Sequence, residues 1–249
     1  MGSRRAAALM RNRRFGRRLL KWLGVTLLVW VALTAIPVLA MRWIHPVTSA
    51  FMLCARLAAL GSGDFHYRNR YEWVDFKRIS PNAGLAVIAA EDQQFPYHFG
   101  FDFKSISEAA EHNEHSRRVR GASTISQQVA KNLFLWSGRS YLRKAMEAWL
   151  TLLIETMWPK QRILEVYLNI AELGPATYGV EAASQRFYRH SAATLSRYEA
   201  ATLAAVLPNP RQLHADKPSR YVTSRRDWIA SQMAALGGRS YLIQLGHRP

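Results

Sequence analysis

The stretch AAEDQQFPYHFGFD, residues 89–102, follows directly on the apolar run AGLAVI at 83–88. Adjacent carboxylates such as Glu91 and Asp92 do not belong in a core, and a solvated loop has no use for the aromatics around them. Read alone, the segment is either a helix end with two solvated acids or a carboxylate framed for chemistry. The rest of the chain decides between them.

Working outward, the 249 residues suit one domain with an appendage, or two small domains, and a composition that is 49% hydrophobic can fill a core. Lys and Arg number 34 against 17 Asp and Glu, for a formal charge of +17. Such a balance calls for an anionic partner: nucleic acid, phospholipid or a phosphorylated substrate. Cys54 is the single cysteine, which excludes an intramolecular disulfide and a thiolate metal site.

The N-terminus narrows these choices. Residues 1–21 carry eight basic side chains and no acid, and WLGVTLLVWVALTAIPVLAM (22–41) then runs without a charge to Arg42. At 1.5 Å per residue, that run spans about 30 Å, the hydrocarbon thickness of a bilayer. Trp22 and Trp43 stand where interfacial aromatics belong. A cleaved signal peptide is the rival, since VLA precedes Met41, but its apolar core would be only about 7–15 residues long. The reading is an uncleaved anchor with a basic cytoplasmic tail (1–21), a transmembrane helix (22–41), a membrane-proximal segment (42–79) and a folded domain (80–245) outside the cytoplasm. Eight of the positive charges then signal topology, leaving about +9, and a nucleic-acid partner is set aside.

Beyond the anchor the pattern is almost entirely helical. An apolar stretch at 48–60 ends at the GSG of 61–63, and lies either in the membrane interface or against the domain. NAGLAVIAAEDQQF (82–95) reads as a helix ending near the opening segment, and STISQQVAKNLFL (123–135) as one capped by Ser123 or Thr124. SYLRKAMEAWLTLLIETMW (140–158) stops at Pro159, which starts the next helix, and Gly174 is a natural end for that one. ATYGVEAASQRFY (176–188), SRYEAATLAAVLP (196–208) and a last segment over 219–236 supply three more. No run shows strand alternation. The fold class is all-α.

Three segments hold polar residues that a plain bundle would not need. Glu91 follows apolar residues closely enough to be partly desolvated, which raises a carboxyl toward a useful general-base range. GASTISQQVAKN (121–132) offers small residues for close approach, with Ser123, Thr124, Gln127 and Gln128 as hydrogen-bonding groups for sugar or phosphate. Lys131 shares a face with Gln127, and a helix start near Ser123 favours an anion. In RSYLRKAMEAW (139–149), Arg139, Arg143 and Glu147 recur every four residues as one polar stripe. Taken singly each segment also reads as an ordinary surface feature, the Arg143–Glu147 pair contributing only about 0.3–0.5 kcal/mol.

Their order is more specific. EDQQFPYHFG resembles E-D-x-x-F-x-x-H-x-G, the first motif of the peptidoglycan glycosyltransferases, and GASTISQQVAKN resembles the second, with Ala122 where a second glycine is common. RKAMEAW is similar to the third motif, ILEVYLNIAELG (163–174) to the fourth and AATLAAVLPNP (200–210) to the fifth. No S-x-x-K of a transpeptidase occurs, so the resemblance is to the monofunctional biosynthetic transglycosylases. It implies a lysozyme-like helical domain with a smaller membrane-facing lobe over roughly 100–125. It also implies polymerisation of lipid II into glycan strands at the bacterial inner membrane, the catalytic domain being periplasmic. The growing undecaprenyl-diphosphate strand is the donor and the GlcNAc 4-hydroxyl of lipid II the acceptor.

On that resemblance Glu91 is the base, and Glu147 the second essential glutamate on the donor side. Lys131 and Arg139 face the diphosphate with support from Arg143 and Lys144, whose charges suit phosphate oxygens. Ser123, Gln127 and Asn132 line the cleft, while Asp92, Phe95, His98 and Gly100 organise the first motif. A divalent cation, magnesium or manganese, would be held mainly by substrate, since no ligand cluster is visible. Partners are lipid II, the glycan strand, membrane lipid and other cell-wall or division proteins. Two rivals remain: a lysozyme-like enzyme that cleaves peptidoglycan with two carboxylates, against which the paired cations count, and a non-catalytic membrane-tethered scaffold.

Overall fold

The computed structural model describes residues 2–115, 123–138 and 140–246. Eleven α-helices follow one another over these residues: α1 Gly2–Ala40, α2 Ala50–Gly61, α3 Pro81–Glu91, α4 Phe103–His115, α5 Ile125–Phe134, α6 Tyr141–Met157, α7 Lys160–Ile170, α8 Val180–Tyr188, α9 Arg197–Val206, α10 Arg220–Ala235 and α11 Arg239–Ile243. Three short strands, β1 Arg70–Tyr71, β2 Glu172–Gly174 and β3 Thr177–Tyr178, form a sheet in the order β1-β3-β2. β1 pairs parallel to β3, and β2 antiparallel. These strands are too short for alternation to reveal them. They also correct the end of α7: the helix stops at Ile170 rather than Gly174, because the chain enters a β2–β3 hairpin turned at Ala176, where φ is +54°.

The domain is organised around α3. Ser80 caps it, Pro81 supplies the first-turn residue whose missing N–H costs nothing, and every residue from Ala83 to Ala89 is buried. A helix apolar all round has no water-facing side and must lie inside. α9, α10, α11 and α7 pack around it, so its C-terminal residue, Glu91, is held by the whole core.

α1 is one continuous helix in which the basic tail runs straight into the apolar span, residues 18–40 being long and apolar enough to cross a membrane. It is seated on α6. Trp30 stacks on Trp149 with ring centroids 4.9 Å apart, Trp149 Nε1 donates to Thr34 Oγ1 at 3.1 Å, and Trp158 Nε1 donates to the Val38 carbonyl at 2.7 Å. Arg162 closes the joint by donating to the carbonyls of Met41 and Ile44. α2, capped by Ser49, packs on α5 while Leu53, Leu57 and Leu60 stay exposed. α4 likewise leaves Phe103 and Ile106 exposed. Residues 116–122, which include part of the expected smaller lobe, lie outside the described residues.

Candidate active site

Glu91 closes α3 half-buried, and Gln128 Nε2 donates to its Oε2 at 2.8 Å. Burial pushes its carboxyl above the usual carboxylate range. The Gln128 hydrogen bond and the positive charges of Arg225 and Lys131 oppose that rise, and the neighbouring Asp92 adds to it. A carboxylate with this balance suits a general base.

The residues after it form the frame. Asp92 is buried; its two oxygens lie 2.9 and 3.0 Å from His98 Nε2, and Oδ2 also accepts the Ile125 N–H at 3.0 Å. An ionised carboxylate only accepts, so His98 must carry its proton on Nε2. Ile125 opens α5, and its N–H is among those a helix leaves unpaired, so Asp92 ties the first motif to the positive end of the second. Thr124 completes the joint by donating to the Gly100 carbonyl at 2.7 Å. Gly100 has φ +80°, and a Cβ there would meet Thr151 Cγ2 at 2.7 Å and Glu155 Cγ at 3.0 Å, so only glycine fits. Phe95 is wholly buried beneath this loop.

α6 begins at Tyr141 after its cap Ser140, so the stripe on the helix holds Arg143 and Glu147. Arg139, the first member expected of that stripe, lies outside the described residues. Glu147 is only 3% exposed. Its Oε2 accepts from Arg143 Nη1 at 2.8 Å and its Oε1 from Lys144 Nζ at 2.5 Å. This is a buried carboxylate clasped by two cations, not the surface pair that spacing alone allowed. Between the two glutamates stands Lys131, its ammonium lowered in pKa by burial and by Arg143 and Lys144, and raised by Glu147 and Glu91. Its Nζ lies 5.7 Å from the Phe51 ring centre, so α2 forms part of its surroundings.

The second motif divides its labour differently from the sequence expectation. Thr124 is the cap, and Gln127 closes a capping box, its side-chain oxygen accepting the Thr124 N–H at 3.0 Å. Gln127 therefore serves the helix end rather than lining the cleft, and Gln128 is the glutamine that meets Glu91. Ser123 is exposed ahead of the cap. Among the described residues, Asn132 Oδ1 and Arg143 Nε are buried without a hydrogen-bond partner.

Three contributions lay outside the residues singled out in sequence. Tyr167 donates to Gln128 Oε1 at 3.1 Å, and Arg225 of α10 donates to the Ala90 carbonyl at 3.1 Å while stacking on Trp228. Lys160 and Glu155 pair inside the core behind Phe95. A 3.6-residue pattern places helix faces but says nothing of which distant helix meets which, and that is why these were missed. Among the described residues, no group of three or more His, Cys, Asp or Glu could hold a metal ion.

The family model described as Transglycosylase matches residues 59–234. A biosynthetic peptidoglycan transglycosylase of Cronobacter sakazakii is 52% identical over 245 residues, covering 98% of each chain. One from Xanthomonas axonopodis pv. citri is 50% identical over 229 residues, covering 92% of this chain and 93% of its own. One from Klebsiella oxytoca is 59% identical over 195 residues, covering 78% and 81%.

Proposed function

The chain belongs to the transglycosylase family, and from that premise we propose that it polymerises lipid II into peptidoglycan glycan strands. It is a membrane-anchored enzyme with a lysozyme-like helical domain. The acceptor is the GlcNAc 4-hydroxyl of lipid II, and the donor is the growing strand on undecaprenyl diphosphate. Glu91 takes the hydroxyl proton as oxygen attacks the anomeric carbon; the bond to the diphosphate breaks, and configuration inverts from α to β-1,4. The observation that carries this reading is the pairing of a desolvated carboxylate with a half-buried cation, Lys131, flanked by Arg143 and Lys144. A departing diphosphate gathers negative charge, and preorganised cations stabilise it. Glu147 holds Arg143 and Lys144 in place for that task. A divalent cation, magnesium or manganese, would be held mainly by the diphosphate of the substrate and would add to the charge stabilisation that these cations supply.

Purified, detergent-solubilised protein supplied with labelled lipid II is expected to give long glycan strands, and none of the fragments of finished peptidoglycan that a cleaving enzyme releases. Intact lipid II together with digested wall would sink the synthetic reading; inertness toward both would leave a scaffold.

We further propose that the domain is periplasmic and sits partly in the bilayer. From Trp30 to Val38 the anchor runs about 12 Å along α6. The free part of the span below Trp30 is too short for the roughly 30 Å of hydrocarbon, so lipid must surround the start of α6, where Tyr141 and Leu142 are exposed. In a Cys54→Ser background, an impermeant thiol reagent applied to spheroplasts is expected to label Lys217→Cys, and to label Leu142→Cys only after detergent. The opposite pattern at either position overturns that part of the reading.

A further inference from the structure

We infer that Tyr167 is a positioning residue for Glu91, its hydroxyl fixing which end of the Gln128 amide faces the carboxylate. The inference rests on the reading of Glu91 as the base. An amide presents a donor and an acceptor of nearly equal shape, so the partner at one end selects what the other end offers. Tyr167 is 1% exposed on α7, which packs against α5 and α3, so its side chain is closed off from solvent. Its hydroxyl donates to Gln128 Oε1 at 3.1 Å, which turns Nε2 toward Glu91 Oε2 at 2.8 Å. Burial, with the negative charges of Glu91 and Asp92, holds the phenol pKa well above its ordinary value, so the hydroxyl keeps its proton and stays a donor. Without it the amide is free to turn its carbonyl against an ionised carboxylate.

A phenylalanine would fill the same space; what the hydroxyl adds is direction. The other groups facing Glu91 are the adjoining Asp92, Lys131 on α5 and Arg225 on α10, the last also bonded to the Ala90 carbonyl at the same helix end. Lys131 and Arg225 favour the ionised base independently of the amide, so losing the hydroxyl shifts the base without abolishing it.

The test compares the parent enzyme with Tyr167→Phe, Gln128→Met, the double variant and Glu91→Gln, each turning over labelled lipid II across a pH series. Tyr167→Phe is expected to lower kcat by about threefold to tenfold, the worth of one hydrogen bond. KM should be little changed, and the acidic limb of the kcat profile should move to higher pH, a shift that a merely structural role would not produce. Gln128→Met is expected to move the limb the same way, and the double variant to be no worse than Gln128→Met alone. A parent-like acidic limb in Tyr167→Phe, or strictly additive losses in the double variant, overturns the inference. Should Tyr167→Phe fail to fold, an unshifted limb in Gln128→Met overturns it equally. Glu91→Gln keeps the two readings apart: if it retains turnover the base assignment itself fails, and if it is dead while Tyr167→Phe behaves as the parent, only this inference does.

Discussion

Replacing Glu91 by glutamine is expected to lower strand synthesis by about 10²–10⁴-fold, the usual contribution of a positioned general base, while leaving lipid II binding nearly intact. The amide keeps the shape and can still accept from Gln128, but it cannot take the hydroxyl proton. Stability gives an independent check with a definite sign. Burial raises the Glu91 pKa above 4.5 in the folded protein. Its contribution to stability is therefore fully present below the unfolded value and is lost as pH rises through the folded one. At neutral pH the ionised side chain is a burden that glutamine does not carry. Glu91→Gln should thus melt at or above the parent Tm near pH 7, the difference closing as the pH falls toward 4.5. A variant that is both inactive and markedly less stable at neutral pH would mean that Glu91 supports the fold, and the base assignment would lose its footing. The parent's acidic limb in kcat/KM should likewise lie above the ordinary carboxylate range.

How much of this was legible beforehand divides along a physical line. Local signals read well: Thr124 caps α5, one of the two caps the sequence offered, and α6 and α10 start directly after Ser140 and Ser219, where the helical segments begin, because a helix start is settled within a few residues. The membrane anchor is equally local. Glu91, Asp92, His98 and Gly100 could be named together because they adjoin in sequence, yet the reason they adjoin became visible only with α5 and Glu155 beside them. Gln127 and Gln128 show the limit. Adjacent residues of one type, they point to different sides of a helix; which faces the cleft depends on the helix's rotation against α3 and α7. Tyr167 and Arg225 act across 76 and 134 positions of sequence from Glu91, and no period links such positions. The β2–β3 hairpin escaped for the opposite reason, since two or three residues carry too little pattern.

The buried pair behind the first motif should produce the largest loss of stability. Lys160 Nζ lies 2.6 Å from Glu155 Oε1, with side chains 4% and 3% exposed. The same oxygen accepts from Ser126 at 2.5 Å, and the ammonium stands 4.5 Å from the Phe95 ring centre. Two charges in a core do not add much net stability by themselves, because desolvation offsets their attraction; removing one is another matter, since the survivor stays buried without its counter-charge. Lys160→Met is therefore expected to cost about 3–5 kcal/mol, and at about 2–4 °C per kcal/mol the apparent melting point should fall by roughly 6–20 °C. Arg211→Met, which breaks the exposed Arg211–Glu172 pair whose arginine is 64% exposed, should cost under about 1 kcal/mol. The deciding variant is Lys160→Met with Glu155→Leu. If the penalty comes from a stranded charge, the second change should restore most of the lost melting temperature, since apolar residues of similar volume often replace such pairs at little cost. If the double variant is instead as unstable as the two losses added together, the pair acts through shape: Glu155, which packs against Gly100, would be needed for its contour beneath the catalytic loop. Activity separates the same alternatives, because the loop carrying Asp92 and His98 rests on this layer, and a repaired core should return turnover along with stability.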